Sequence, residues 1–326
     1  MGFFKTFAIP SIARLLCATG EFRRDTVKRI EDTDLLTREF CENPLESARG
    51  EAALRRLNAI HGQYRISNSD YLYVLSVFVL EPSEWHEKFE WRAMHPNEIE
   101  ARCNYWLAVG RGMGLKDMPA DVASFRKYQL AYEKQHMRFH PANKQLADYT
   151  LTGLAHGLLP RRLARLFLPL LRTAILSLLP RRVVAALGFQ QPHWMVGMLC
   201  RAILRTRGWV VRHLMLPRTV PYRRTPLSCP RAANASKGGE ATMGMGGDVG
   251  VVEVEAEAAE ARCPASWPYG RQHSAYRNGY SIQSLGPKGC PVGRLAHLGG
   301  GNTTGEAPNE RRKELRRMPS NSSTTG

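Results

Sequence analysis

Apolar residues recur at intervals of three and four over most of the first 220 positions, and no stretch alternates with the period of two that a half-buried strand requires. In Glu46–Tyr64, residues Ala53, Leu54, Leu57, Ile60, His61 and Tyr64 form one stripe, while Arg49, Glu51, Arg55 and Arg56 lie mostly on the other side. Ser67 and Asp70 then have capping-box spacing ahead of Tyr71–Leu80, a run apolar on nearly all sides and so predicted to be a buried helix. Pro82 precedes a separate helical stretch through Trp85, Phe89 and Trp91. Further helices are predicted at Glu98–Gly110, Ala120–Met137, Thr150–Leu159, Leu163–Leu179, Val183–Leu187 and Trp194–Leu216. The pattern predicts an all-α fold.

After about Pro226 the pattern disappears. Ala232–Gly250 is rich in Gly and Ala, Val251–Glu260 repeats small, apolar and acidic residues, and Gly299–Gly326 is a Gly/Ser/Thr/Asn/Arg tail. Such composition cannot bury a core. Two regions follow: a helical domain over 1–225, and a low-complexity insertion and tail, mostly disordered, over 226–326.

Charge sharpens this division. The chain has 326 residues and a formal net charge of +17, from 46 basic and 29 acidic residues. Tyr149–Gly239 holds fourteen Arg, one Lys and no acid, which leaves 31 basic residues against 29 acidic ones elsewhere. The Arg residues of 160–218 are threaded between apolar blocks, as in Pro160-Arg161-Arg162-Leu163-Ala164-Arg165-Leu166-Phe167 and Pro180-Arg181-Arg182-Val183-Val184. Interfacial helices have this arrangement, whereas nucleic-acid surfaces cluster cations with polar residues and aromatic stacking platforms. A membrane surface is therefore the expected partner, and nucleic acid is not. No uncharged apolar run reaches 18 residues, and no secretory signal is evident. The start Met-Gly-Phe-Phe-Lys-Thr fits an acylation pattern at Gly2, but the pattern is short. Seven scattered Cys without a CxxC pair point to reduced thiols rather than a disulfide framework or a zinc site.

Candidate chemistry is sparse. His86-Glu87 with His95 fails the HExxH spacing, because position 90 is Glu90. The glycines at 110, 112 and 114 follow a helix and read as a helix-ending turn rather than a dinucleotide loop. His136 and His140 are four apart and could share a metal on one helix face, although Pro141 follows and acidic partners are weak. His61, on an apolar face, is either a core histidine bonded to a carbonyl or an axial ligand to haem iron. Arg29 and Thr33, four apart with Lys28 and Asp32 alongside, are either part of a solvated face or a cation and a hydroxyl set over a cofactor.

Taken in order, Lys28-Arg29-x-x-Asp32-Thr33, Arg56-Leu57-Asn58-Ala59-Ile60-His61-Gly62-Gln63-Tyr64 and Ile66-Ser67-Asn68-Ser69-Asp70-Tyr71-Leu72-Tyr73 resemble the ER-bound oxygenases of the MpaB type and the related latex-clearing rubber oxygenases. Glu81-Pro82-x-x-Trp85, Trp106 through Gly114 and Ala186-Leu187-Gly188-Phe189 extend the likeness over residues 3–220, and it resumes weakly at Gly279–Pro287. The resemblance implies a globin-like helical bundle around haem b, with molecular oxygen as co-substrate and an apolar, isoprenoid-like carbon–carbon double bond as target. It implies His61 as the axial ligand to haem iron and Arg29 and Thr33 as the distal catalytic pair. Asp32 stands where rubber oxygenases have Lys, which favours a smaller, terpenoid-like substrate. MpaB-type members carry a membrane-spanning helix before the segment that resembles Phe3–Phe7; here the sequence starts at that segment, so peripheral association with the endoplasmic reticulum membrane is expected. Residues 230–267 interrupt the likeness and read as an insertion or a misread exon. The competing reading is a noncatalytic helical protein of a membrane surface.

Overall fold

The computed structural model of the chain describes residues 2–158, 160–219, 223, 225, 280 and 282–287. Among these there are twelve helices and no strand, in accord with the all-α expectation. In chain order they are α1 Gly2–Phe7, α2 Pro10–Ala18, α3 Glu21–Arg24, α4 Thr26–Glu42, α5 Ala48–His61 and α6 Asn68–Phe89. They continue with α7 Pro96–Gly112, α8 Val122–His136, α9 Pro141–Leu158, α10 Arg161–Leu178, α11 Arg181–Ala186 and α12 Trp194–Leu214.

Caps fix where the helices that matter begin. Asp25 accepts from the Lys28 amide at 3.0 Å and starts α4. Ser47 accepts from the Gly50 amide at 3.1 Å and starts α5, while Ser67 accepts from the Asp70 amide at 3.0 Å and starts α6. At Gly50 the preceding loop lies so close that a Cβ would sit 2.2 Å from the Pro44 carbonyl oxygen. Only glycine permits that approach, which sets how α5 leaves the loop.

Two apolar clusters hold the body together. One joins α4, α5, α6, α7 and α8 through Leu35, Phe40, Ala53, Leu80, Trp106 and Phe125. The other joins α1, α2, α9, α10 and α11 through Phe7, Ala13, Leu151, Leu176 and Val183. Tyr280 and Leu285 belong to the first cluster, at 1% and 0% exposure, so a short piece from beyond position 226 is part of the helical core. The rest of 226–326, expected to be mostly disordered, lies outside the described residues, as does the 230–267 interruption.

Two expectations about proline fail instructively. Pro82 does not separate two helices; α6 runs through it for 22 residues. Its cost is the hydrogen bond that the Phe78 carbonyl would have accepted. Pro141 begins α9 rather than merely ending the previous helix, because proline's fixed φ suits a first turn. His136 therefore ends α8, while His140 stands before α9 and accepts from the Ala142 amide at 3.1 Å. The two histidines share no helix face, and no group of three metal-binding side chains occurs among the described residues. Gly114, with φ +72°, follows the α7 end at Gly112, as the glycine-rich turn predicted.

Candidate functional site

A cavity of about 800 Å³ lies between the two clusters, within the range of small-molecule and cofactor pockets. Its wall is mainly apolar, with Leu36, Leu57, Val74, Phe78 and Trp106 among its residues. Arg29, Thr33 and His61 all line it. The structure thus brings together the three residues singled out in the sequence.

Each is placed by its helix. Arg29 and Thr33 sit one turn apart on α4, and the Arg29 guanidinium donates to the Thr33 hydroxyl. The hydroxyl donates in turn to the Arg29 carbonyl at 3.2 Å. The guanidinium carbon lies 5.5 Å from the Phe22 ring centroid, a cation–π distance. Asp32, the acid whose charge acts most on Arg29, is bonded by Lys28: Lys28 Nζ holds its two oxygens at 3.0 and 2.8 Å and also donates to the Gly286 carbonyl at 2.9 Å. Burial pulls the Arg29 pKa down, against the opposing charge of Asp32.

His61 is the last residue of α5 and is half-buried on the cavity wall. Its ring packs edge-on to Tyr71, with centroids 5.4 Å apart at 60°. Nδ1 is buried with no hydrogen-bond partner. Desolvation first, and the Arg29 charge second, push its pKa down to about 4 from 6.5. The C-terminal end of a helix favours a cation by about 0.3–1 kcal/mol, up to about 2 in partly buried sites. Holding the pKa near 4 corresponds to about 3 kcal/mol in the other direction, so desolvation wins. The imidazole is neutral at neutral pH. The core-histidine alternative predicted a bond to a carbonyl, and Nδ1 makes none.

The wall includes contributors that the sequence did not single out. Lys5 of α1 and Glu81 of α6 form an ion pair there, and Tyr71 braces His61. Gly286 and Pro287 close one side, where Arg56 Nε holds the Leu285 carbonyl at 2.8 Å and the Tyr280 hydroxyl donates to Glu39. The weak resumption of the family likeness at Gly279–Pro287 hinted that this segment belongs with the domain, but no sequence signal named its Lys28 and Arg56 contacts. Cys17, Cys41, Cys103 and Cys200 are all free, as the thiol reading expected.

The outer faces of α10 and α12 are unusual. Leu163, Leu166, Phe167 and Leu170, spaced three and four apart, are exposed on α10, as are Trp194, Met198, Leu199 and Ile203 on α12. Leu166 reaches 70% exposure, beyond what a core-facing helix position shows. Arg162, Arg165, Arg201 and Arg205 make no ion pair among the described residues. No described helix is long and apolar enough to cross a membrane.

With this geometry in hand, comparison with known proteins places the chain. Residues 8–213 match the family described as ER-bound oxygenase mpaB/B'/Rubber oxygenase, catalytic domain. The ER-bound oxygenase mpaB' of Penicillium brevicompactum is 27% identical over 233 residues, which is 66% of this chain and 54% of that protein. The ER-bound oxygenase mpaB of the same organism is 30% identical over 163 residues, 44% of this chain and 42% of that protein. The chain spans about half the length of the curated relatives it matches. Over most of its helical body, the chain belongs to the family of mpaB-type and rubber-oxygenase catalytic domains.

Proposed function

We propose that the chain is a haem b-dependent oxygenase that uses molecular oxygen to cleave or oxidise a carbon–carbon double bond of an apolar, isoprenoid-like substrate at the endoplasmic reticulum membrane surface. One observation carries the proposal: a neutral imidazole with an unpartnered buried nitrogen stands on the wall of an 800 Å³ apolar cavity that also holds Arg29 and Thr33. A buried polar atom without a partner costs about 1–3 kcal/mol, which a bound partner would offset. The residues present fit haem. His61 would hold the iron, because it is already deprotonated, and the cavity is apolar and of cofactor size. Bound there, the haem would supply oxygen activation, chemistry that belongs to the cofactor.

The chain's own residues do the rest. Arg29 presents a desolvated cation and Thr33 a hydroxyl, and their mutual hydrogen bond fixes both donors in place. Lys28 holds both oxygens of Asp32, and the Asp32 charge sustains the buried Arg29 cation. The apolar wall excludes water and receives a hydrocarbon chain. The exposed apolar stripes of α10 and α12, with Arg162, Arg165, Arg201 and Arg205 making no ion pair among the described residues, support docking at an anionic bilayer surface. That placement suits a substrate with little solubility in water, and it agrees with the ER-bound description of the two relatives.

The test is to incubate haem-loaded protein with squalene as an isoprenoid probe under ¹⁸O₂. Two labelled carbonyl fragments would establish cleavage, and a labelled hydroxyl would establish oxidation without cleavage. Loaded protein that consumes no oxygen and labels neither squalene nor a shorter terpenoid, whether hydrocarbon or carboxylic acid, would leave the noncatalytic membrane-surface reading in its place.

A further inference from the structure

Besides His61, Arg29 and Thr33, the cavity wall includes two cations, Lys88 of α6 and Arg201 of α12, whose side chains are exposed and so stand where the cavity meets solvent, at its mouth. Three of the four acids on its wall have cation partners, and the fourth, Asp70, is held by hydroxyls. Asp32 is held by Lys28, and Glu81 pairs with Lys5. Asp70 accepts from Ser11 and from Tyr132, each at 2.7 Å. Glu84 lies 2.6 Å from Arg126 and 3.6 Å from Lys88, so two cations share this one carboxylate. Arg201 makes no ion pair among the described residues. The mouth is left with a positive excess.

The local build keeps Arg201 at that rim. Its guanidinium folds back over Gly197, where a Cβ would meet Arg201 Nη1 and the Ser177 carbonyl oxygen, each at 3.1 Å. Glycine therefore lets α12 cross the end of α10 closely, and Ser177–Pro180 of that crossing line the cavity beside Arg201. Trp194 and Met198, preceding Arg201 on α12 at intervals of four and three, are exposed on the same helix.

We infer that the substrate is an amphiphile with an anionic head, a carboxylate or a phosphate, which Lys88 and Arg201 hold at the mouth while its apolar tail extends toward His61. The inference rests on the reading of this cavity as the active site. A guanidinium and an ammonium beside an apolar rim bind an anion better than in open water, because the low-dielectric wall weakens screening. The adjoining exposed apolar residues would let such a molecule slide in from a bilayer without its tail crossing water.

The test uses parinaric acid, a fluorescent polyene fatty acid, and parinaryl alcohol as its uncharged match. Trp85 and Trp106 line the cavity, so energy transfer from tryptophan reports binding. The acid is expected to bind about ten-fold more tightly than the alcohol to the wild-type protein, which corresponds to about 1.4 kcal/mol. In the K88Q/R201Q double variant that preference should vanish with alcohol affinity unchanged. Both positions are exposed on helices, and an unchanged thermal midpoint will show that the variant is folded. Equal affinities for the two probes in the wild type overturn the inference, as does a preference that survives in the variant. If the variant instead loses only binding to phosphatidylserine vesicles, the cations serve lipid headgroups and the inference fails. If neither probe binds, the active-site reading of the cavity fails with it; alcohol binding without acid preference defeats this inference alone.

Discussion

Acid should destabilise the protein through His61 in a manner that can be isolated. The folded state holds its imidazole neutral, with the pKa pushed down to about 4, while the unfolded chain binds the same proton with the ordinary value of 6.5. A base with a depressed folded pKa contributes nothing adverse above about pH 6.5. As pH falls below that value the unfolded state takes up the proton first, so stability declines until about pH 4 and then levels off. The loss attributable to this one group is about 2 kcal/mol between pH 7.5 and pH 5, and about 3 kcal/mol at completion. Urea unfolding of the cofactor-free protein and of His61→Gln at each pH isolates it, because carboxylate contributions common to both cancel in the difference. The advantage of the variant over wild type should grow by about 2 kcal/mol on acidification to pH 5. Since Arg29 is the second cause of the shift, Arg29→Gln should raise the His61 pKa measured by proton NMR. A difference between wild type and His61→Gln that stays constant from pH 7.5 to 5 would refute the desolvated-imidazole account.

Three further outcomes follow from other parts of the fold. Leu285→Ala should cost about 2–5 kcal/mol in chemical denaturation, because Leu285 is fully buried in the main core despite lying beyond the low-complexity stretch; a surface-like loss below about 0.5 kcal/mol would deny that this segment is part of the domain. Gly50→Ala should lower the thermal midpoint by several degrees, since its Cβ would meet backbone, the Pro44 oxygen at 2.2 Å, which cannot swing aside as a side chain could. The double change Leu166→Asp and Leu170→Asp, at sites 70% and 63% exposed, should leave the helical circular dichroism intact but weaken sedimentation with phosphatidylserine vesicles by at least about ten-fold. Undiminished vesicle binding would remove α10 from the docking surface.

The helices were legible because their apolar periodicity is strong and their starts carry caps: Ser67 and the glycine turn at 110–114 act as their spacing suggested. Pro82 misled because tertiary packing on both sides of α6, with Leu80 and Phe89 buried, outweighs one missing backbone bond. The histidine pair at 136 and 140 misled for a related reason, since a spacing of four means a shared face only if one helix spans both residues. At the site, sequence spacing could set Arg29 beside Thr33 but left His61 open between a core and a ligand role. The missing information was the environment: an absent carbonyl partner, a nearby guanidinium and an adjoining cavity. For residues 280 and 282–287 the resumed likeness gave a weak sign, but the contacts themselves were not legible, because they depend on Lys28 and Arg56 reaching carbonyls more than two hundred residues away.

The account stands or falls on what His61 holds. Adding haem to the purified, colourless protein and recording its absorption spectrum should give a Soret band at a one-to-one stoichiometry. His61→Ala should fail to develop that band while keeping its helical circular dichroism. A wild-type protein that stays spectrally silent after haem addition, or a His61→Ala protein that binds haem with an unchanged spectrum, would contradict it.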